Sequence, residues 1–295
     1  MEKKMTQQSL IGLFAQTSIH AGTGQNNGII DLPIQREGHN GWPCIFGSAV
    51  KGALRARAES TYPSENGKTH ESISKVFGTD TTEYAGALAV SDARLLLLPV
   101  RSLNSQFKWV TCPAALKRFK QDSARFGIKQ DFDIPENPKN DQAFVTIGVS
   151  TEAIFLEEYR FNIENKNLIP LINALLKLMH EVESSDLEQQ LLIVNNDNFN
   201  HLVGHATPVN AHIAIESETK MVKKGALWYQ ETLPPETLLY IGLSAVNSRD
   251  SSRLPAEAVM GCINDLFKTN TWLQLGGHET VGMGWCAVSF INKEG

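Results

Sequence analysis

The chain has 295 residues, 42% hydrophobic and 20% charged, with 22 glycines and 12 prolines. At ~150 residues per domain that length predicts one or two domains, and it suffices for a core without disulfide or metal staples. Its longest apolar runs, such as Leu95–Val100, fall far short of the ~20 residues of a membrane span. The opening MEKKMTQQS carries charge but no apolar secretion core. The four cysteines (Cys44, Cys112, Cys262, Cys286) form no C-x-x-C pair, which argues against a zinc ribbon or a disulfide scaffold. A reduced, cytoplasmic protein is expected.

The net charge of −5, from 27 basic and 32 acidic residues, argues against a phosphate-binding surface. The distribution is uneven, however. Residues 101–130 carry +6, through Arg101, Lys108, Lys117, Arg118, Lys120, Arg125 and Lys129 against Asp122, and residues 131–197 carry −9. That segregation fits either a basic groove hidden in an acidic average or solvated faces of opposite sign.

In chain order, Ser9–Ile19 alternates loosely, is rich in apolar and β-branched residues, and predicts a strand ending at His20. A polar, glycine-containing loop leads to Gly28–Ile34, where Pro33 forbids a helix and keeps Leu32 extended. Phe46-Gly47-Ser48 predicts a helix to about Glu59 with Ser48 as its cap. Residues 60–86 read as a loop-rich insertion, and Ala87–Val100 as a strand. A short amphipathic helix is expected over Ala114–Lys120, followed by a second insertion over 121–144, polar and proline-containing from 128 onward. Phe144–Tyr159 predicts a strand and Ile169–His180 a helix. Two extended arms around Glu218–Gly225 form a hairpin-like projection over residues 212–234, closed by Pro234-Pro235. Pro255–Leu266 predicts a last helix and Cys286–Ile291 a last strand. Helices and strands intersperse without a βαβ rhythm, so the expected class is α+β in a single domain.

Four constellations bear on chemistry. The run Gly276-Gly277-His278-Glu279-Thr280-Val281-Gly282-Met283-Gly284 would let backbone N–H groups approach a phosphate, or serve as a tight turn between strands. It lacks the Lys-Ser/Thr ending of a P-loop, and a strand rather than a helix follows it. Asp31, between apolar residues and a proline, would bind a cation or handle a proton, or else form a turn or pair with Arg36. His20 sits where a strand runs out and either faces the same loop or is structural. Ser48, Lys51, Gly52 and Arg55 share one helical stripe, which suits an anion or a solvated face. His201, His205 and His212 suggest a metal cluster, but Gly204 and Pro208 argue against the helix that His201 and His205 would need.

Taken together, Ile19-His20-Ala21-Gly22, Gly28–Arg36, Pro43–Phe46 and Gly47–Arg55 resemble the RAMP proteins of type III CRISPR effector complexes, as does the glycine-rich run. Ser91–Ser102, Val110-Thr111-Cys112-Pro113, Gly225–Tyr229 and Leu233–Thr237 are similar to the repeated backbone subunit of the type III-B (Cmr) complex. The likeness covers about residues 9–292. It implies a modified ferredoxin-like (RRM-like) core with thumb and lid or finger insertions. The partners implied are a CRISPR guide RNA, a single-stranded target RNA, further copies of the chain stacked head-to-tail and other effector subunits, with no membrane.

The resemblance further implies that Ser48, Lys51, Arg55, Gly276, Gly277, Gly282 and Gly284 hold the guide backbone while base pairing selects the target. The 212–234 projection would be a thumb that displaces one base pair per subunit. Asp31 would serve metal-dependent (magnesium or manganese) attack of the target's 2′-OH on the adjacent phosphate, with His20 positioning RNA or transferring a proton. Glu231 is a third candidate, in a stretch Tyr229-Gln230-Glu231-Thr232 that differs from the more acidic and aromatic one of the family. His278 is a local variation with no chemistry assigned. Alternative expectations are a non-catalytic RNA scaffold, a repeat-processing endoribonuclease relying on histidine, and a zinc hydrolase at the 201–212 histidines.

Overall fold

Leu10, Ile11, Leu13 and Phe14 are all buried although neighbours on a strand point to opposite faces, so both faces of their sheet are covered. In the computed structural model, which describes residues 6–26, 28–62, 70–79, 83–149 and 152–291, they lie on β1 (Gln7–Ala15). The chain continues through β2 (Cys44–Ile45), α1 (Gly47–Thr61), α2 (Glu71–Phe77), β3 (Leu88–Val90) and β4 (Ala93–Arg101). A middle section holds β5 (Phe107–Thr111), α3 (Pro113–Arg125), β6 (Gln142–Thr146), β7 (Ala153–Leu156), β8 (Tyr159–Lys166) and α4 (Ile169–Leu176). It ends with α5 (Ser184–Gln190), β9 (Leu191–Ile193), α6 (Asn196–His205) and the hairpin β10 (Val209–Ile215) with β11 (Val222–Glu231). Then come β12 (Leu238–Ala245), α7 (Ala256–Asp265), β13 (Trp272–Gln274) and β14 (Trp285–Ile291).

Four adjacent strands, β14-β1-β12-β4, are antiparallel throughout. In chain order these are the fourth, first, third and second strands, with α1 after the first and α7 before the fourth. That is the βαββαβ ferredoxin-like arrangement. Everything from Ser102 to Thr237 is therefore one insertion between the second and third core strands. It extends the sheet as β5-β9-β6-β8-β7 and throws out the separate β10–β11 hairpin.

Helices α1, α2 and α7 cover the face carrying Ile11, Leu13, Leu95, Ile241 and Leu243. Helices α3 and α4 cover the opposite face, with Leu10, Phe14, Leu96 and Tyr240 against Phe119, Leu171 and Leu175. The second packing is close: a Cβ on Gly12 would sit 2.2 Å from the Leu178 carbonyl oxygen.

Several elements depart from the sequence expectation. The first strand leaves the sheet after Ala15, and Ile19 then exchanges both backbone hydrogen bonds, each 2.9 Å, with Leu233 at the end of the hairpin. Ser48 does not cap α1. Phe46 holds the cap position without a side-chain bond, and Asp92 from the β3–β4 turn accepts the Gly47 N–H at 2.7 Å. That turn also splits the expected 87–100 strand in two. The 144–159 strand resolves into β6, β7 and the start of β8. The 60–86 segment contains α2, capped by the His70 ring accepting from Ser72 N–H, while residues 63–69 and 80–82 lie outside the described residues. The 121–144 segment begins inside α3 and ends inside β6. Among the described residues, no helix is long and apolar enough to cross a membrane.

Candidate functional site

The site is organised by the edge of β11 that faces away from β10. Leu32 pairs along it in parallel: its N–H donates to the Tyr229 carbonyl at 3.0 Å, and its carbonyl accepts from Glu231 N–H at 3.0 Å. One residue earlier, the Asp31 Oδ2 accepts the Tyr229 N–H at 2.7 Å. Two residues further along β11, the Glu231 carbonyl meets His20 Nδ1 at 2.8 Å. A carbonyl only accepts, so Nδ1 carries the proton and Nε2 keeps its lone pair. Tyr229 and Glu231 are separated by two residues, roughly 7 Å of strand rise. One strand edge thus brings His20 and Asp31 together.

The loop carrying Asp31 is closed on itself, with Asn26 N–H donating to the Asp31 carbonyl at 2.9 Å and Thr23 N–H to the Pro33 carbonyl at 3.2 Å. Asp31 lines a cleft of about 400 Å³ with Gln25, Asn26, Leu32, Gly225, Leu227 and Trp228. Sequence reasoning assigned no role to Gln25, Asn26 or Trp228. Roughly two hundred residues of chain separate the two walls, and no local pattern marks them.

Glu231 plays a different part from the one expected. Its residue is 3% exposed, and both carboxylate oxygens are taken. Oε1 accepts from Arg36 Nη2 at 2.5 Å and from the Thr207 hydroxyl at 2.6 Å, and Oε2 from the Ile34 N–H at 3.1 Å. Arg36 also donates to the carbonyls of Gly41 and Val203. Glu231 is thus the clamp that joins the Asp31 loop, the hairpin and the end of α6. It is also the ion-pair partner of Arg36, the place the sequence allowed for Asp31.

The glycine-rich run is the turn between β13 and β14, and it is built against His20. Gly276 has a φ of 83°, and a Cβ there would lie 2.4 Å from the His20 carbonyl oxygen, so only glycine fits. The Gly277 N–H donates to that same carbonyl at 2.9 Å, Gly284 N–H to Ser18 at 2.8 Å, and Gly282 N–H to Glu279 at 2.9 Å. These amides are committed within the protein, as in a tight turn, rather than free for a phosphate. What the loop presents is His278, whose ring lies 5.6 Å from that of His20, centroid to centroid.

The helical stripe is partly committed too. Lys51 donates to the Leu88 carbonyl at 2.9 Å; burial first, then Arg249 and Arg55, hold its pKa below the usual lysine value. Arg55 reaches Glu59 at 2.8 Å and the Gly78 carbonyl at 3.4 Å, while Ser48 and Gly52 are exposed.

Much of the positive charge of the +6 segment is paired within the chain, while Lys117 is exposed. Arg118 forks onto Glu37 at 2.8 and 2.7 Å, Arg101 meets Glu157, Arg125 meets Asp122 and Lys129 meets Asp131. Lys108 is buried on the Gln189 carbonyl.

His201 and His205 do lie on a helix, the last turn of α6, which ends before Pro208 and tolerates Gly204. Their rings stack at 4.3 Å, and His201 Nε2 meets the Tyr159 hydroxyl at 2.8 Å; His212 stacks instead on Trp228. Among the described residues, no group of three or more His, Cys, Asp or Glu side chains is arranged to hold a metal ion.

The RAMP superfamily model matches residues 15–287. The CRISPR system Cmr endoribonuclease Cmr4 of Pyrococcus furiosus is 35% identical over 288 residues, spanning 95% of this chain and 94% of its own. The CRISPR system CMR subunit Cmr4 of Saccharolobus solfataricus is 27% identical over 304 residues, spanning 94% of each. The crystal structure of oligomeric Cmr4 from Pyrococcus furiosus matches with a TM-score of 0.73 at 29% identity, covering 97% of this chain and 98% of that one. A chain of the type III-B Cmr-beta complex bound to cognate target RNA shares the fold, with a TM-score of 0.73 at 22% identity and 97% coverage of each. With its ferredoxin-like core, its long insertion and its hairpin, this chain belongs to the RAMP superfamily and, within it, to the Cmr4 family.

Proposed function

We propose that this chain is the repeated backbone subunit of a Cmr-type CRISPR ribonucleoprotein. It stacks head-to-tail with its own copies and beside other effector subunits, binds guide RNA, and cleaves complementary single-stranded RNA at the His20–Asp31 edge. The observation that carries this reading is the fixing of Asp31 Oδ2 and His20 Nδ1 on one strand edge, beside an open cleft walled by the hairpin.

RNA brings its own nucleophile, so the chain's task is placement. The exposed apolar residues of the hairpin, Ile213, Leu227 and Tyr229 among them, offer surfaces to unstacked bases and hold the strand bent over the cleft. His20 Nε2 is the free acceptor for the 2′-OH proton.

The residues at the cleft suit a divalent cation held mainly by the RNA. Asp31 has one oxygen outside its backbone bond, Gln25 and Asn26 bring amide oxygens, and magnesium commonly takes only one or two carboxylates, with phosphates and water completing the shell. Bound there, such an ion would offset charge on the phosphorane.

Asp31→Asn tests the assignment, because the amide oxygen still accepts the Tyr229 N–H while the negative charge is gone. In the assembled complex with magnesium or manganese, target cleavage is expected to fall by about a hundredfold or more with guide and target binding unchanged. A full ladder of regular cuts from this variant would sink the catalytic reading and leave a scaffold.

A further inference from the structure

The reaction needs a second proton transfer that neither Asp31 nor His20 provides. As the 2′ oxygen bonds to phosphorus, the departing 5′ oxygen must gain a proton. We propose that His278 is a further catalytic residue of this chain, the general acid that protonates the 5′ oxygen while His20 takes the proton from the 2′-OH. This rests on the reading that target RNA is cut at the β11 edge.

Three observations carry it. The His278 ring lies in contact with the His20 ring, 5.6 Å between centroids at an interplanar angle of 55°, so the two imidazoles stand side by side and can each reach a different oxygen of one phosphodiester laid across them. His20 is fixed through Nδ1 as the partner with a free lone pair, whereas the His278 ring, exposed at the loop surface, has no hydrogen bond among the described residues. His278 is also held at a φ of 62° in a loop otherwise turned by glycines, with its carbonyl accepting the N–H groups of Val281 and Met283. An imidazole kept in left-handed backbone beside a second imidazole is a strained placement of the kind that collects at reacting sites.

The electrostatics agree. Partial desolvation against its neighbours first, then His20 and His212, pull the His278 pKa below the ordinary imidazole value, and Glu279 is its exposed neighbour in the turn. Neighbouring imidazoles resist double protonation, and the lowered pKa makes a protonated His278 a ready proton donor beside His20. In the balanced step, the 2′-OH proton passes to His20 Nε2, the O2′–P bond forms and the P–O5′ bond breaks. The His278 proton goes to O5′, leaving a 2′,3′-cyclic phosphate and a 5′-OH. Water then returns the two histidines to their starting states.

The test uses the assembled ribonucleoprotein and two target RNAs, identical except that one carries sulfur in place of the bridging 5′ oxygen at a cleavage position. A thiolate leaves without protonation, so it has no need of a general acid. The variant is His278→Asn, since asparagine tolerates the left-handed turn. The expected result is a loss of about a hundredfold on the oxygen target with wild-type cleavage of the sulfur target. In the wild type the sulfur-to-oxygen rate ratio rises with pH, and in the variant it is flat. Equal slowing of both targets, or slowing of neither, overturns the proposal. Asp31→Asn, run in parallel, slows both targets if the site lies at the β11 edge. Unimpaired cleavage by that variant instead removes the site itself, whatever His278→Asn does.

Discussion

At the root of the β10–β11 hairpin the side chains of Gln230, Glu231 and Thr232 are polar and buried, whereas farther out Ile215, Met221, Val222 and Leu227 are apolar and exposed, Met221 at 64%. This inverts the usual partition of a folded chain. A buried carboxylate is tolerated only when its charge is paired and its lone pairs are filled, and Glu231 meets that condition with Arg36, Thr207 and the Ile34 N–H. Exposed aliphatic side chains contribute little to the isolated fold, and a cluster of them is a surface suited to contact. The root is therefore built for position and the tip for contact, and mutations at the two ends should act on different quantities.

Glu231→Ala gives the largest expected effect. It strands the Arg36 guanidinium, the Thr207 hydroxyl and the Ile34 N–H, and should cost about 3 kcal/mol in urea unfolding. Cleavage should fall as well, because the Asp31 loop loses its anchor. An unchanged unfolding midpoint would show that the root is not clamped by this pair.

Leu227→Ser, midway out along the hairpin, should separate stability from binding. Unfolding should move by no more than about 0.5 kcal/mol, while affinity for a matched target within the complex should drop by roughly 1 kcal/mol for the lost apolar contact. If stability collapsed and binding did not change, the outer hairpin would belong to the fold.

The smallest effect is expected just past the root. Burial holds the Glu236 carboxyl above its ordinary pKa. The folded state therefore binds the proton more tightly than the unfolded one, and this group's contribution is full at acid pH and is lost as pH rises through the folded pKa. Glu236→Gln should be more stable than the parent at neutral pH by some tenths of a kcal/mol, with the difference closing on acidification. A difference that widened toward acid pH would contradict the assignment.

Asp31 and His20 could be singled out from the sequence because each stands in a short, recognisable stretch, Gly28–Arg36 and Ile19–Gly22. Their common placement could not, because it depends on a strand some two hundred residues away whose Tyr229 N–H and Glu231 carbonyl receive them. The sequence also marks Glu231 as an acid on the returning arm but does not say that its charge points inward onto Arg36. The glycine-rich run was readable either as a turn or as an anion cradle. Its amide bonds to Ser18, His20 and Glu279 favour the turn. The +6 segment shows a related limit: linear charge counting is blind to Glu37 and Glu157, which pair with Arg118 and Arg101 from elsewhere in the chain.

Composition and pattern alone determined the α+β class, the main helices and the hairpin. These follow from local hydrophobic periodicity, proline and turn residues, which act over a few positions. Short or unsupported elements escaped. The seven-residue α2 and the last turn of α6 are held by a histidine cap and by packing of Phe199 and Leu202 into the core, not by propensity. Insertion of residues 102–237 between two paired strands, and the meeting of His20, Asp31 and His278 around one edge, arose only on folding. Strand pairing and close packing join segments by shape and hydrogen bonding regardless of their distance along the chain, and no local pattern encodes that.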